Sequence, residues 1–241
     1  MIHGLFASAT TYDAVKAELS QRSMTAAIDL PDCGQSDAAS GFRPSWISLT
    51  QTVIDAADAM GMDEFDLVGH SMGGGVSIMI AAQYPERVRR LILVDAVSFP
   101  FKVPLKGRLP LVPIVGELLF WTYSKKMFVS FIENDVFNDK TLMDMKKVDY
   151  LYRVFAKKRS AALDSLRATA DPRPVTDSIE KITCPTLLIW GSEDRLVPLA
   201  IGRLLNKKIP NSRLCVLDGC GHSPLEERPT ETAAEIISFL H

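Results

Sequence analysis

The run Gly69-His70-Ser71-Met72-Gly73-Gly74 constrains this chain more than any other stretch. It follows the apolar run Phe65 to Gly69, which reads as a strand. It opens Met72 to Gln83, a segment apolar on nearly every face that closes at Tyr84-Pro85 and reads as a buried helix. A serine between a strand and a helix sits on a tight turn with strained dihedrals. The flanking glycines are required because a β-carbon at either place would collide with the neighbouring strand or helix. Such a turn lifts the hydroxyl clear and aims the Met72 N–H, at the positive end of the helix, at the place where an oxyanion forms. By composition a Gly-x-Ser-x-Gly string occurs about 0.06 times by chance here, and the strand before it and helix after it make it more telling still.

The other elements fit around that turn. Ala26-Ala27-Ile28 reads as a weak strand running into a turn at Pro31 to Gly34. Trp46, Leu49, Val53, Ile54, Ala57 and Met60 recur at helical spacing, with Gly61 as the stop. Leu91 to Val94 has no polar alternation and reads as a strand buried on both sides. Thr186 to Trp190 and Leu214 to Leu217 are two more strands, and Thr230 to Leu240 is a closing helix behind Pro229. Strands alternating with helices predict an α/β fold with a mostly parallel sheet flanked by helices. A chain of 241 residues is long enough to bury such a core without disulfides. Cys33, Cys184, Cys215 and Cys220 show no paired spacing, so reduced thiols and a cytoplasmic location are expected. With 27 basic and 29 acidic residues there is no whole-chain electrostatic case for nucleic acid.

Between Ser98 and Asp171 the rhythm breaks. No strand is predicted there, only helices rich in Leu, Phe, Met and Lys. From Lys102 to Arg167 the sequence holds 13 basic and 7 acidic residues, net +6, which leaves the remainder at net −8. The chain therefore divides into a first core part (1–97), a helical lid (98–171) and a second core part (172–241), with the lid over the carboxyl ends of the strands, where open α/β sheets bind ligands.

A serine hydroxyl is a weak nucleophile and needs a base, itself oriented by a carboxylate. Of the four histidines, His70 is adjacent to Ser71 and points away, and His241 is terminal. His222 lies in Gly219-Cys220-Gly221-His222-Ser223-Pro224, just past the last strand, where small neighbours let the ring swing over the sheet edge. It is the expected base. The acid candidates are Asp194, immediately after a buried strand, with Asp95 and Glu193 as rivals.

Taken together, His3-Gly4, Asp29-Leu30-Pro31 with Gly34 to Asp37, Gly69 to Gly74, Trp190 to Pro198 and Gly221-His222 resemble the α/β-hydrolase superfamily, in its small lidded esterase, lipase and meta-cleavage-product hydrolase branches. The resemblance spans nearly the whole chain. It implies a Ser71, Asp194, His222 triad, the continuation Arg195 to Pro198 favouring Asp194 over its rivals. It also implies a second oxyanion N–H from the loop after His3-Gly4, Leu5 first and Phe6 second, and no metal or organic cofactor. Epoxide hydrolases and haloalkane dehalogenases need aspartate where Ser71 stands. Asp32-Cys33 departs from the usual glycine and histidine of that turn.

A second departure is larger. In this superfamily a strand ends at the His-Gly pair, in the middle of the sheet, and a hairpin precedes it. Here His3 is the third residue. Strands lie about 4.8 Å apart, so a missing one leaves a gap of about 10 Å or two open edges. The N-terminal strands are therefore expected to be missing, with the natural start roughly 25 residues earlier.

The apolar run Leu109 to Trp121, broken by Pro110, Pro113, Gly116 and Glu117, is too short and interrupted to cross a bilayer. Packing of its apolar face on the core is the expected arrangement. An acyl-binding wall, or a lid that opens on a membrane surface beside Lys102, Lys106, Arg108, Lys125 and Lys126, is the alternative. The activity expected is that of a serine hydrolase cleaving the ester bond of a small-molecule substrate of small or medium acyl length. Carbon–carbon bond hydrolysis of a meta-cleavage-type diketone, or non-catalytic ligand binding on the same fold, are the alternatives.

Overall fold

In a computed structural model, which describes residues 1–241, four β-branched and aliphatic runs pair into one all-parallel sheet in the order β1 (Phe65–His70), β2 (Val88–Val94), β3 (Thr186–Gly191) and β4 (Ser212–Leu217). The alternation of side chains along each strand sends one set to each face. Leu67, Leu91, Leu93, Leu188 and Trp190 join the larger apolar core, while Val68, Ile92, Val94, Leu187, Ile189 and Leu217 join the second. Helix α1 (Asp13–Leu19) covers the second face together with the closing helix described below, and α2 (Trp46–Ala59) and α3 (Met72–Gln83) cover the first. Helix α3 is buried without a break from Met72 to Ala81, as its uniformly apolar sequence requires.

Between β2 and β3 the chain contributes helices only: α4 (Leu105–Arg108), α5 (Val115–Thr122), α6 (Lys125–Phe131), one π-helical turn (Ile132–Val136), α7 (Met145–Lys157), α8 (Arg159–Thr169) and α9 (Arg173–Thr176). These have their own apolar core, built on Phe120, Phe128, Ile132, Phe137, Val148, Leu151, Phe155 and Leu163. Helix α10 (Leu199–Lys208) returns to the sheet, and α11 (Pro224–Glu227) leads into the closing α12 (Pro229–Leu240).

Three expectations can be set against the structure, and the first and third are corrected. First, Ala26 to Ile28 forms no strand: Ile28 makes a single parallel bridge to Ile2. A strand needs a partner of similar length, and only Met1 to His3 lies beside it. Second, as expected, no strand lies beside β1 on the side away from β2, and only the residues around Ile2 pair in that slot, at the end that carries the site. Ile2 bridges both Ile28 and Gly69, through Ile28 N–H to Met1 O (3.2 Å), Ile2 N–H to Val68 O (2.8 Å) and His70 N–H to Ile2 O (3.0 Å). Third, Leu109 to Trp121 does not turn its apolar face onto the core. Only Phe120 of its large apolar side chains is buried, and Leu109, Leu111, Val112, Ile114, Val115, Leu118 and Trp121 are exposed. No helix of the chain is long and apolar enough to cross a membrane.

The unusual turn at Asp32-Cys33 forms nonetheless. Asp32 takes φ +59° and Gly34 φ +50°, and the Asp29 carboxylate accepts the Ala9 and Gln35 N–H groups at 2.7 and 2.8 Å. A β-carbon on Gly34 would lie 2.1 Å from that carboxylate. All four cysteines are free thiols, and burial pushes Cys33 up to about 12.

Candidate active site

Ser71 caps α3 at φ +53°, ψ −118°, a left-handed conformation that a side chain occupies only under constraint. The constraint is visible in the flanking glycines. A β-carbon on Gly69 would lie 2.4 Å from Gly73 O, and one on Gly73 would lie 2.3 Å from Ile2 O. Bare backbone on both sides lets strand, turn and helix close to contact. The turn is pinned to its neighbour by Ser71 N–H donating to Val94 O at 3.0 Å.

The turn's exposed hydroxyl meets His222. Ser71 Oγ lies 2.9 Å from His222 Nε2, and His222 Nδ1 lies 2.7 Å from Asp194 Oδ2. The other Asp194 oxygen accepts the Leu196 and Val197 N–H groups at 2.8 and 2.9 Å, so the carboxylate is fixed in position on the loop after β3. A carboxylate facing Nδ1 keeps the proton there and leaves Nε2 as an acceptor for the serine hydroxyl. Ser71, His222 and Asp194, read separately from the sequence, are thus brought into one line.

Two more sequence-derived positions meet at the same place. Neither Met72 N–H nor Leu5 N–H donates to any protein acceptor, and the Gly4-Leu5 loop passes so close over the serine that a β-carbon on Gly4 would be 2.9 Å from Ser71 Cβ. His3 holds that loop. Its Nε2 accepts Leu30 N–H at 3.0 Å, which forces the proton onto Nδ1, 2.7 Å from Gly4 O. The Phe6 N–H, the second candidate, is also without an acceptor. Its ring turns away, at φ +59°, to stack edge-on against Phe131 and Phe155.

Asp95, the rival acid, is fully buried at φ +45°. Its Oδ1 accepts Gly191 N–H at 3.0 Å, and it lies against the Asp194 carboxylate. Burial first, and the Asp194 charge second, hold its carboxyl well above the usual carboxylate range, and its Oδ2 is buried without a hydrogen-bond partner. Glu193 stands apart, with its N–H on Cys220 O and its carboxylate against Ser192 Oγ at 3.3 Å. His70, Asp95 and His222 have ligand atoms within 4.8 Å of one another. Of these, His222 has both ring nitrogens bonded, to Ser71 Oγ and Asp194 Oδ2, while His70 Nδ1 and Asp95 Oδ2 are buried without a hydrogen-bond partner.

Several supporting contacts have no local sequence signal. His70 Nε2–H donates to His222 O at 2.8 Å, so the residue before Ser71 ties down the His222 backbone. Glu227 is buried and accepts from Gly221 N–H (2.8 Å), Asn138 N–H (2.8 Å) and Asp139 N–H (3.0 Å). His222 N–H donates to Val136 O at 2.7 Å, and Arg195 reaches Asn134 O and Asn138 Oδ1 at 3.0 and 2.9 Å. The loops of Asp194 and His222 are therefore both clamped to residues 134–139 of the helical insertion.

Burial, and the nearby His222 charge, push His70 down to about 3. A histidine whose folded pKa lies below its unfolded value of about 6.5 leaves the unfolded chain binding the extra proton. Its contribution to stability is therefore lost as pH falls from about 6.5 towards 3. Buried His3 acts in the same direction, and Asp95 opposes both. The contribution of His70 is isolated by comparing the wild type with His70→Gln, whose amide keeps a donor near His222 O. Unfolding free energies from urea titrations between pH 6 and pH 4 should fall more steeply in the wild type, by about 1.4 kcal/mol per pH unit. Parallel profiles would mean that His70 takes up its proton without leaving the fold.

A cavity of about 1220 Å³ opens over the Ser71 hydroxyl, bounded by His222, Met72 and Leu5 and walled by Phe101, Leu111, Leu119, Phe120, Phe131 and Leu196. The model of the alpha/beta hydrolase family matches residues 1–235. An uncharacterized hydrolase of Bacillus subtilis, YugF, is 31% identical over 99% of this chain and 88% of its own. The 2-hydroxymuconate semialdehyde hydrolase of Pseudomonas putida is 28% identical over 92% of this chain and 78% of its own. Among solved structures, a variant of the meta-cleavage product hydrolase CumD superposes with a TM-score of 0.84 at 25% identity, covering 99% of this chain and 89% of CumD. A parallel sheet carrying a strained serine turn, and a family match over nearly its whole length, lead to one assignment: the chain belongs to the α/β hydrolase family.

Proposed function

We propose that the protein is a serine hydrolase that cleaves a carboxylic ester through an acyl-enzyme. The observation that carries this reading is the unbroken line from Ser71 Oγ through His222 to Asp194, at 2.9 and 2.7 Å. Ser71 Oγ attacks the ester carbonyl as its proton passes to His222 Nε2, and the carbonyl oxygen takes the electron pair and rests on the Met72 and Leu5 N–H groups. Collapse expels the alkoxide, which His222 protonates. Water then repeats the sequence on the acyl-enzyme, losing its proton to His222, and the acid leaves as Ser71 regains its own. The apolar walls of the cavity support an acyl group of small or medium length, with the insertion over residues 98–171 acting as its lid.

The test is labelling by a fluorophosphonate, which needs an activated serine and no knowledge of the substrate. Stoichiometric labelling that disappears in Ser71→Ala is expected. A folded chain that takes no label would overturn the proposal. A second reading, hydrolysis of a carbon–carbon bond in a vinylogous diketone, is supported by the likeness to the 2-hydroxymuconate semialdehyde and 2-hydroxy-6-oxo-2,4-heptadienoate hydrolases of Pseudomonas putida. Bleaching of a dienoate chromophore by a chain that labels but turns over no ester would favour it.

A further inference from the structure

We infer that the arm of the insertion from Leu105 to Trp121 is a docking surface for an anionic lipid bilayer, set at the rim of the Ser71 cavity. Four of its large apolar side chains stand far out: Ile114 is 82% exposed, Trp121 76%, Leu105 73% and Leu118 59%. Scattered exposed apolar residues are ordinary, but a patch drawn from 17 consecutive positions is not, and it marks a surface that meets an apolar phase.

The arm is held in this form. Arg167 pairs with Glu117 at 2.6 Å and reaches Pro110 O and Val112 O at 3.3 Å each. Gly116 is packed so tightly that a β-carbon there would lie 2.1 Å from Pro110 O. Ile114 sits at φ +67°, where a β-branched residue is strained and a turn alone would favour glycine or asparagine. A strained, outward-facing isoleucine is costly to keep unless the side chain is used.

Charge selects the occupant. Lys102, Arg108 and Lys126 are exposed and make no ion pair, so they add free cations around the apolar patch. The 102–167 stretch carries net +6 on a chain of net −2. Two copies meeting patch to patch would bring like charges together, whereas an anionic leaflet attracts this side of the molecule and repels the other. The patch is also continuous with the cavity: Lys106, Leu109, Leu111 and Lys126 line the same space as Ser71. On the proposed esterase reading, an acyl chain leaving the bilayer would enter there without crossing water.

Because binding does not require turnover, it can be read on Ser71→Ala protein, so its failure is separable from a failure of the fluorophosphonate test. The chain should sediment with vesicles of equal parts phosphatidylcholine and phosphatidylglycerol, and only weakly with phosphatidylcholine alone or at high salt. Ile114→Glu with Trp121→Ser should lower the partition coefficient at least tenfold with an unchanged urea midpoint. Removing Lys102 or Arg108 should lower it about fivefold each at low salt. Equal binding to both lipid compositions, or no effect of the Ile114 and Trp121 substitutions, would overturn the inference. So would a dimer in sedimentation velocity that Ile114→Glu converts to monomer, since a second copy would then cover the patch.

Discussion

Ser71→Ala is expected to lower turnover of an activated ester by at least about 10⁴-fold while leaving the fold intact. The Ser71 hydroxyl makes one protein hydrogen bond, to His222, so its loss removes no structural contact beyond the triad. Alanine occupies the same φ as serine, and the glycines that allow the turn remain. What survives is binding in the cavity and the two unpaired N–H groups, which alone sustain a residual rate over water. Steady-state kinetics beside a urea midpoint checks this. A drop below tenfold at equal stability would identify a different nucleophile and remove the basis of the proposed mechanism.

The two buried carboxylates should answer very differently to the same substitution. Asp194→Asn places an amide donor against His222 Nδ1, where an acceptor stood at 2.7 Å. The imidazole then carries its proton on Nε2, facing the serine, and the expected loss in kcat is about 10⁴-fold. Asp95→Asn removes a carboxyl that burial already holds well above its usual range, and the amide oxygen can still accept Gly191 N–H. Its kcat should stay within about tenfold of the wild type, since the isosteric amide touches none of the hydrogen bonds joining Ser71, His222 and Asp194. A reversed ranking would make Asp95 the residue that orients the base.

Much of the site was legible because its signals are local. Gly69, Ser71 and Gly73 are three residues whose spacing is meaningful only in one turn geometry, and His222 was singled out by small neighbours in a loop after a strand. Strand position alone did not choose the acid, since Asp95 and Asp194 both follow buried strands; the resemblance around Arg195 to Pro198 favoured Asp194, and the loop amides of Leu196 and Val197 with the 2.7 Å contact are what the structure adds. The tie from His70 to His222 O and the clamp made by Glu227 join residues far apart in sequence, and no periodicity encodes them. Ala26 to Ile28 misled because strand propensity is fulfilled only beside a partner. Leu109 to Trp121 misled in the opposite way: an apolar stripe shows that a face seeks an apolar neighbour, without saying that the neighbour belongs to the same chain.

The clamp between the insertion and the loops of Asp194 and His222 has a consequence for rebuilding the protein. Substrate range in such a fold invites exchange of the whole insertion between relatives, with joints near residues 98 and 171. Here that graft would strip Glu227 of two N–H donors, leave Arg195 without Asn138 and take away Val136 O from the backbone of His222. A recipient so altered would lose the alignment of His222 even if Ser71, His222 and Asp194 were all retained. The transplantable unit is smaller: the arm around 105–121 can be recoded alone, whereas residues 134–139 must travel with Arg195 and Glu227 as one cassette.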